Sequence, residues 1–580
     1  MQAYILILVA FGSLLVTAVV RKTQFLSELA LVLVGSFISF LPPITEAINS
    51  AIPFFPVLSD LPHDQIELNP EVILGFILPP ILFSSARSLS VYRFKKVFGS
   101  VVSLGIFLPI FTGLCVGFLL MHLFPLYITF PVALVIGACV APPDAISVVA
   151  VGSKIGFPEK IMSTIKGESL INDAASLTLF TTALAMLTGE TGGTHGNPLS
   201  YFMISLFGGI FVGVLFGFIF RLCRKVLEEP SLISVFTALF PFMTYLVAEH
   251  FHCSGVIAVV IVGLISQKNV VRAHYSTRIQ ETELWKTIDT LIETFVFGYI
   301  GLQAHSIYED LVESTIPNKI EIEVAIICLI VVIISRPAFL FTVNFFQRIN
   351  IRVISHVIEK VDFTKKRMLN KWVQLRYSNL KRRREYMKNT LLSYRETAVI
   401  SWCGVRGVIT LAAASAVPFF DTAGNEITQH ATIQLCGYVI TVGTLFIQGP
   451  TLSALSKWAL TGTKKNERIF ENQYIFGRML ISEAANEVID EMYEDDPELI
   501  DKDELRNIWI GVQRPGENAK KHLGTDAIPE FLQDVFERQR KLLKRAVIDG
   551  DLEADVANIF LNRMDLRQSL YISKSTGAEE

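Results

Sequence analysis

Long uncharged hydrophobic runs recur along the chain up to residue 461, separated by short polar stretches. A run of about 20 apolar residues is long enough for a helix to cross the hydrocarbon core of a bilayer. The pattern therefore predicts about thirteen transmembrane helices, at 3–20, 24–42, 71–88, 98–123, 128–151, 162–187, 201–221, 231–250, 254–267, 284–304, 322–346, 396–417 and 433–458. The run at 254–267 is short and the run at 71–88 contains Pro79-Pro80, so either could be a partial or broken span.

The charges of the connecting loops predict the orientation of the spans. Basic residues fall in alternate loops, and an excess of Lys and Arg marks the cytoplasmic side of a membrane. The opposite set of loops holds most of the acids and little basic charge; it comprises 43–70, 188–200, 305–321 and 418–432. Thirteen spans then put the N-terminus outside and the C-terminus in the cytoplasm, as a multi-pass protein of the cell membrane.

Two segments lie outside the spans. Residues 348–395 form a basic loop with fourteen Lys or Arg against three acids. This loop obeys the orientation rule, and its interleaved apolar residues also allow an amphipathic helix on anionic lipid headgroups. Residues 464–580 carry 25 acids against 17 bases and show helical periodicity. We predict a transmembrane domain at 1–461 and a soluble, mostly helical cytoplasmic tail at 462–580, whose ligand or protein partner the sequence does not reveal.

Composition narrows the class of function. The chain of 580 residues is 51% hydrophobic and 18% charged, whereas soluble domains carry about 25% charged residues. A net charge of −3 gives no reason to expect nucleic-acid binding. The seven cysteines lie in or beside hydrophobic runs, which is not the pattern of a disulfide framework. No motif for ATP, another cofactor or enzymatic catalysis is present, so we expect neither an enzyme nor a cofactor.

Asp173 is the first candidate for chemistry, because it lies well inside the 162–187 run. A carboxylate at membrane depth costs several kcal/mol unless it faces a cavity or a partner, so such residues are candidates for function. Ser169 lies one helical turn before it, and the two side chains can converge on one ion. Asn172 points about 100° away from Asp173 and is expected to reach the neighbouring broken span.

A second carboxylate, Asp144, follows the pair Pro142-Pro143 in the 128–151 run. Proline removes a backbone donor and clashes with the preceding turn, so the helix must break here. Broken backbone at membrane depth is tolerated only where it is buried in protein or lines a cavity. We therefore expect Asp144 to cap the second half-helix and to face the same polar cavity as Asp173, where the two carboxylates bind a small cation.

The 396–417 run contains an intramembrane arginine, Arg406, between Gly404 and Gly407. Two close glycines weaken a helix, so this span is also expected to be broken. Arg406 needs an anionic partner, and Glu168 is the candidate that we assign to it in a structural ion pair. Arg336, beside Pro337, also needs an acid, for which Glu293 is one candidate.

Together these residues resemble the NhaP/NHE branch of the monovalent cation:proton antiporters. The resemblance covers roughly residues 1–460 and is carried by Gly167-Glu-Ser-Leu-Ile-Asn172-Asp173-Ala, Gly404-Val-Arg406-Gly407, Leu78-Pro-Pro-Ile-Leu-Phe83, Ser254-Gly255 and Gly298…Gly301-Leu-Gln303. It implies an all-α homodimeric membrane protein of the NhaA-like fold, with inverted repeats and crossing broken helices in spans five and twelve.

The resemblance also implies roles for single residues. Asp173 would bind the cation or the proton, helped by Asp144 and Ser169, while Glu168 would pair with Arg406. Two positions depart from the family pattern. Pro143-Asp144-Ala145 stands where the family usually has Thr-Asp-Pro, and Ser84 stands where some members carry an acid.

The function that we predict is exchange of Na⁺ or Li⁺ for H⁺ by competition at Asp173, for pH and sodium homeostasis. The Asn172-Asp173 pair resembles the electroneutral branch, which implies one cation per proton. The cation ligands would be Asp173, Asp144 and Ser169, with Asn172 and Pro143 beside them. Two alternatives stay open: a K⁺/H⁺ antiporter of the same fold, and a gated cation channel or membrane sensor that signals through the tail.

Overall fold

A computed structural model describes most of the chain. The described residues are 2–20, 27–41, 73–89, 98–144, 148–149, 152, 155, 157, 159–189, 198–227, 229–270, 275–360, 371–460, 464–495, 502–513, 527–549, 551–552 and 554–575. Among these residues there is no β-strand, and one isolated bridge joins Phe420 and Glu426. Parts of the predicted runs at 24–42, 71–88 and 128–151, and the whole of the loop at 43–70, lie outside the described residues.

The α-helices are numbered here in chain order. The membrane part contains α1 (Gln2–Val20), α2 (Ser27–Ser39), α3 (Leu78–Ser88), α4 (Leu108–Leu123), α5 (Phe130–Val140), α6 (Glu159–Thr188), α7 (Pro198–Val226), α8 (Pro230–His250), α9 (Gly255–Val270), α10 (Tyr275–Leu302), α11 (Ala304–Glu313), α12 (Asn318–Lys360), α13 (Lys371–Thr390), α14 (Tyr394–Trp402), α15 (Val408–Ser415) and α16 (His430–Leu460). The remaining described helices are α17 (Lys464–Asp495), α18 (Lys502–Gln513), α19 (Ala527–Asp549) and α20 (Ala554–Ser575). Single π-helical segments, Ile73–Ile77 and Ser103–Phe107, precede α3 and α4.

Local sequence explains where several helices begin. Prolines occupy the first turn of α3, α4 and α5, where the missing N–H has no partner within the helix anyway. Helix α14 begins with a capping box, in which Ser393 and Glu396 each satisfy a backbone N–H of the other. The basic loop predicted at 348–395 is largely helical, since α12 continues to Lys360 and α13 follows it.

Six helices in the described part of the chain are long and apolar enough to cross a membrane: Phe98–Leu123, Lys160–Thr188, Phe202–Val226, Pro230–His250, Asn318–Ile358 and His430–Ala459. Four shorter apolar helices, at Val9–Val20, Ser27–Ser39, Phe130–Val140 and Gly255–Gln267, accompany them. Large apolar side chains on α7 are exposed, such as Phe207 at 63% and Phe211 at 69%. Such a surface is suited to lipid rather than to water. The count of thirteen spans remains a prediction.

The chain forms two compact units. The first comprises Met1–Val226, Val235–Lys268 and Trp285–Thr461, and the second comprises Leu227–Ser234, Asn269–Leu284 and Gly462–Glu580. The second unit thus includes two segments that the sequence analysis assigned to the membrane domain. Both units have a hydrophobic core of their own.

The core of the second unit is formed by buried side chains of the tail helices, including Phe531, Phe536 and Phe560. A buried ion-pair network accompanies this core. The Arg278 guanidinium binds Asp565 through two nitrogens, with Nε 2.6 Å from Oδ2, and Arg540 Nη2 lies 3.0 Å from Asp565 Oδ1. Burial lowers the pKa of Arg540, and the Asp565 carboxylate opposes this effect.

Candidate functional site

Two interrupted helices meet in the first unit. Helix α5 is followed by the non-helical stretch 141–144, and α14 is separated from α15 by the non-helical stretch 403–407. The two stretches are joined by a backbone hydrogen bond, in which the N–H of Asp144 donates to the carbonyl oxygen of Val405 at 2.7 Å. All of these residues are buried except Asp144, which is half-buried. The backbone therefore leaves the helical conformation at both places where the sequence analysis expects a break.

The residue types at the breaks suit this close contact. Pro142 and Pro143 are buried in the first stretch. In the second stretch, a Cβ on Gly407 would overlap the Asp144 carboxylate, lying 2.7 Å from its Cγ. A Cβ on Gly404 would lie 2.9 Å from Arg336 Cδ. Only glycine permits the carboxylate to lie directly against the start of α15, where the N-terminal end of the helix dipole favours a negative charge.

Arg406 connects the two interruptions. Its Nε donates to the carbonyl oxygen of Val140 at 2.7 Å, and its Nη1 donates to the carbonyl oxygen of Gly404 at 2.9 Å. Its backbone N–H donates to Thr444 Oγ1 at 2.9 Å. Val140 is the last residue of α5, and the last carbonyls of a helix lack partners within the helix. The guanidinium group thus satisfies these carbonyls and places a positive charge at the negative end of α5.

Glu168 has a different partner from the predicted one. Its carboxylate accepts two hydrogen bonds from Arg336, one of them from Nη2 to Oε2 at 2.8 Å, and both side chains are at most 2% exposed. Arg336 Nε also donates to the carbonyl oxygen of Ile400 at 3.0 Å. The predicted pairing of Glu168 with Arg406 is therefore wrong, as is the suggested pairing of Arg336 with Glu293. The reason is geometric, because the Arg406 guanidinium donates its hydrogen bonds to the carbonyl oxygens of Val140 and Gly404.

Asp173 is buried on α6, with 7% of its surface exposed. The hydroxyl of Ser169, one turn earlier on α6, and the carboxylates of Asp144 and Glu168 are near enough to act on its carboxylate electrostatically. Among the described residues, no Lys, Arg or His forms an ion pair with Asp173. A buried carboxylate in this setting is stable only when something neutralises its charge.

Asn172 is fully buried beside Asp173. Its Oδ1 accepts a hydrogen bond from Ser176 Oγ at 3.0 Å, within α6. Its Nδ2 has no hydrogen-bond partner within the described part of the chain. A buried amide donor without a partner is uncommon, so this nitrogen is available to a group that the described residues do not supply.

The structure thus places Asp173 near Ser169 and near Asp144, whose backbone joins the two interrupted helices. Arg336 and Thr444 are the contributors to this region that the sequence analysis did not assign. The lone arginine beside Pro337 was a signal for the first, whereas nothing in the sequence distinguishes Thr444 from other membrane threonines. No group of three or more His, Cys, Asp and Glu side chains suited to a metal occurs in the ranges that the structure describes. The candidate site offers two carboxylates and a hydroxyl, which are oxygen ligands of the kind that hard cations prefer.

Comparison with known proteins identifies the family. The family model described as "Sodium/hydrogen exchanger, transmembrane" matches residues 6–458. The chain belongs to this transmembrane sodium/hydrogen exchanger family. Its members are secondary transporters rather than enzymes, and they are multi-pass membrane proteins.

Individual relatives are about a quarter identical to this chain over the residues that align. The Na⁺/H⁺ antiporter ApNhaP of Aphanothece halophytica is 26% identical over 408 residues, which cover 70% of this chain and 68% of the relative. A sodium, potassium, lithium and rubidium/H⁺ antiporter of Bacillus subtilis is 23% identical over 561 residues, which cover 91% of this chain and 76% of the relative. Exchangers of Mycobacterium tuberculosis and Escherichia coli match over 66% and 62% of their lengths, so the chain spans just under two thirds of them.

The fold is similar to that of a solved antiporter. The structure of the sodium proton antiporter MjNhaP1 from Methanocaldococcus jannaschii at pH 8 matches with a TM-score of 0.56 and 19% identity, over 80% of this chain and 99% of that one. At this identity the match shows the all-helical fold alone.

Proposed function

We propose that this exchanger carries Na⁺ or Li⁺ against H⁺ by competition for Asp173. The observation that carries the proposal is a buried carboxylate, close to a hydroxyl and to a second carboxylate, that forms no ion pair with the described residues and lies near the contact between two interrupted helices. Membership of the sodium/hydrogen exchanger family supports it. Asp144 and Ser169 are the proposed co-ligands, with Asn172 and the Pro143 backbone beside them.

Competition follows from the electrostatics of the site. Asp173 and Asp144 act on each other as like charges, and burial makes a second uncompensated charge costly. A bound cation or a bound proton removes one negative charge, and the two cannot both bind Asp173 with full strength. If the helices rearrange only when the site is neutralised, movement of a cation one way is tied to movement of a proton the other way. One carboxylate that changes occupant gives one cation per proton, which is the proposed stoichiometry.

Glu168 and Arg406 have supporting roles in this proposal. Glu168 is neutralised by Arg336, so it is not free to exchange ions. Arg406 holds the carbonyls of the interrupted helices and keeps Asp144 beside Asp173. Both residues are expected to matter for the geometry of the site rather than as cation ligands.

K⁺/H⁺ exchange is the second candidate, favoured by one specific position. Pro143 stands where the family usually has a threonine, so the hydroxyl that would precede Asp144 is absent. Fewer fixed oxygens would make a site less selective for the smaller ion. The Bacillus subtilis relative, whose name includes sodium, potassium, lithium and rubidium, supports a broad preference.

Proteoliposomes with an enclosed pH indicator test the function. An imposed Na⁺ gradient should move protons through the wild type, and Asp173→Asn should reduce the flux to that of empty liposomes, because the exchangeable charge is gone. Glu323→Gln, a change to a carboxylate whose side chain is 48% exposed, is the matched control and should transport normally. Proton flux through a well-folded Asp173→Asn protein would overturn the assignment. Current without counter-movement of protons would instead indicate a channel.

We also propose a homodimer in the cell membrane, with the N-terminus outside and the C-terminus in the cytoplasm. The distribution of Lys and Arg between alternate loops supports this orientation. The tail at 462–580 is proposed to regulate exchange rather than to perform it, for pH and sodium homeostasis. Accessibility of single cysteines introduced into the 418–432 loop tests the orientation, and the mass of the detergent-solubilised protein tests the dimer.

A further inference from the structure

A further carboxylate of the membrane part, Asp289, forms no ion pair with the residues that the structure describes. Asp289, on α10, accepts a hydrogen bond from Ser84 Oγ of α3 at 2.6 Å. Ser84 is 8% exposed and Asp289 is half-buried. No ion pair with a Lys, Arg or His of the described residues reaches Asp289, and Ser84 is the group that acts on its carboxylate. An acid in a membrane helix with no balancing charge is a candidate for function.

The packing of the neighbouring helices fixes the contact between Ser84 and Asp289. The rings of Phe83 and Trp285, one residue and one turn away on the same two helices, lie 5.0 Å apart between centroids. On the other side of α3, Gly263 of α9 lies so close that a Cβ there would be 3.0 Å from the Phe83 carbonyl oxygen. Helix α3 is thus held between α9 and α10, and Ser84 has little freedom to turn away from Asp289.

The pair also lies on a helix that contacts the helix of the candidate transport site. Leu78 of α3 and Leu177 of α6 line one cavity, and α3 packs against α6. Along α3, Ser84 lies roughly 9 Å from Leu78, and along α6, Asp173 lies roughly 6 Å from Leu177, at about 1.5 Å per residue. Ser84 and Asp173 therefore both lie within about two helical turns of residues that line this cavity.

The chemistry of the pair repeats that of the proposed transport site. In both, a serine hydroxyl lies close enough to an aspartate carboxylate to act on it, and in both, no basic side chain of the described residues forms an ion pair with the acid. Carboxylate and hydroxyl oxygens are ligands for hard cations. We propose that Asp289 and Ser84 form a second binding station for the transported monovalent cation, with Ser84 on a helix that packs against the one that carries Asp173. This inference rests on the proposed exchange and gives a role to a residue pair to which the family resemblance assigned none.

A station of this kind raises the concentration of the cation near the transport site. A negative charge in a cleft with walls of low dielectric constant raises the local concentration of a counter-ion. Loss of the charge should therefore weaken the apparent affinity for the cation while the maximal rate of exchange, set by the Asp173 site, stays close to that of the wild type. A hydrogen bond with a purely structural role would instead affect folding and leave the affinity unchanged.

Initial rates of Na⁺-driven proton movement in proteoliposomes, measured over a range of Na⁺ concentrations, test the proposal. We expect Asp289→Asn to raise the apparent KM for Na⁺ about five-fold, the lower end of couplings between two sites. The double variant Asp289→Ser/Ser84→Asp returns a carboxylate to the same place from the opposite helix and should restore the wild-type KM. Glu323→Gln is the control and should match the wild type.

An unchanged KM in a folded Asp289→Asn protein would overturn the station, and so would a raised KM that the double variant fails to lower. If Asp289→Asn yields no folded protein, Ser84→Ala provides the same test, because it removes only the hydroxyl partner. A raised KM then supports the station and an unchanged KM contradicts it. A wild type that moves no protons in response to any cation would instead refute the proposed exchange itself, so the two failures are distinguishable.

Discussion

The pairing of Glu168 with Arg336 predicts a specific pattern of rescue between substitutions. Arg336→Met leaves the Glu168 carboxylate buried at 1% exposure with no partner, which typically costs about 3–5 kcal/mol. The lost hydrogen bond from Arg336 Nε to the Ile400 carbonyl adds about 1 kcal/mol. Adding Glu168→Gln removes the unpaired buried charge, so the double variant should recover about 2–3 kcal/mol of the lost free energy of unfolding.

Arg406→Met serves as the matched comparison. This change removes the hydrogen-bond donor of two carbonyl oxygens, those of Val140 and Gly404, rather than the partner of a carboxylate. Glu168→Gln should therefore give it no rescue. Both single variants are expected to reduce membrane yield and thermal stability, so the loss alone does not discriminate between the two arginines. The rescue does.

The measurement is the thermal unfolding midpoint of each purified protein in detergent, followed by fluorescence-detected size exclusion. The set comprises the wild type, three single variants and two double variants, which together form two double-mutant cycles. A positive coupling between Glu168 and Arg336, with none between Glu168 and Arg406, is the expected result. Equal or greater rescue of Arg406→Met by Glu168→Gln would refute the ion-pair assignment and favour the pairing that the sequence suggested.

Two further predictions concern other contacts. Gly407→Ala should strongly reduce Na⁺-driven proton flux at near-normal yield, because the added Cβ would displace the Asp144 carboxylate; normal flux would show that this close contact is dispensable. Asp565→Asn should make the second unit more sensitive to limited proteolysis. The change leaves the buried Arg278 guanidinium without its carboxylate, which typically lowers the free energy of unfolding by about 3–5 kcal/mol. Glu491→Gln, in an exposed ion pair of the same unit, is the control and should leave the digestion pattern unchanged.

Much of the fold was accessible from the sequence, because the membrane imposes simple local rules. Apolar runs of membrane length predicted the long helices α6, α8, α12 and α16, since every backbone polar group in lipid must be satisfied within its own segment. The breaks at 141–144 and 403–407 were expected from Pro142-Pro143 and from Gly404 and Gly407. Proline and glycine disrupt a helix through their own covalent geometry, whatever surrounds them.

The partners of charged groups were less accessible. The sequence showed that Arg336 and Arg406 each need an acid or another acceptor. Either guanidinium could neutralise the Glu168 carboxylate, so charge alone does not decide which of them binds it. Only the packing of α12 against the region around Ile400 and Glu168 brings Arg336 to the carboxylate. Likewise, 205 residues separate Ser84 from Asp289, and no periodicity relates them.

The sequence by itself indicated a membrane protein with many spans, predicted where two of the helices are interrupted, and showed which acids lie within apolar runs. These properties depend on residues that are near one another along the chain. The tertiary structure decided which guanidinium neutralises Glu168, that Asp144 lies against Gly407, and that Asp289 meets Ser84. The physical reason is that a charge or hydroxyl in a low-dielectric interior binds whichever group the packing of distant helices brings within about 3 Å, and that choice is not encoded by local pattern.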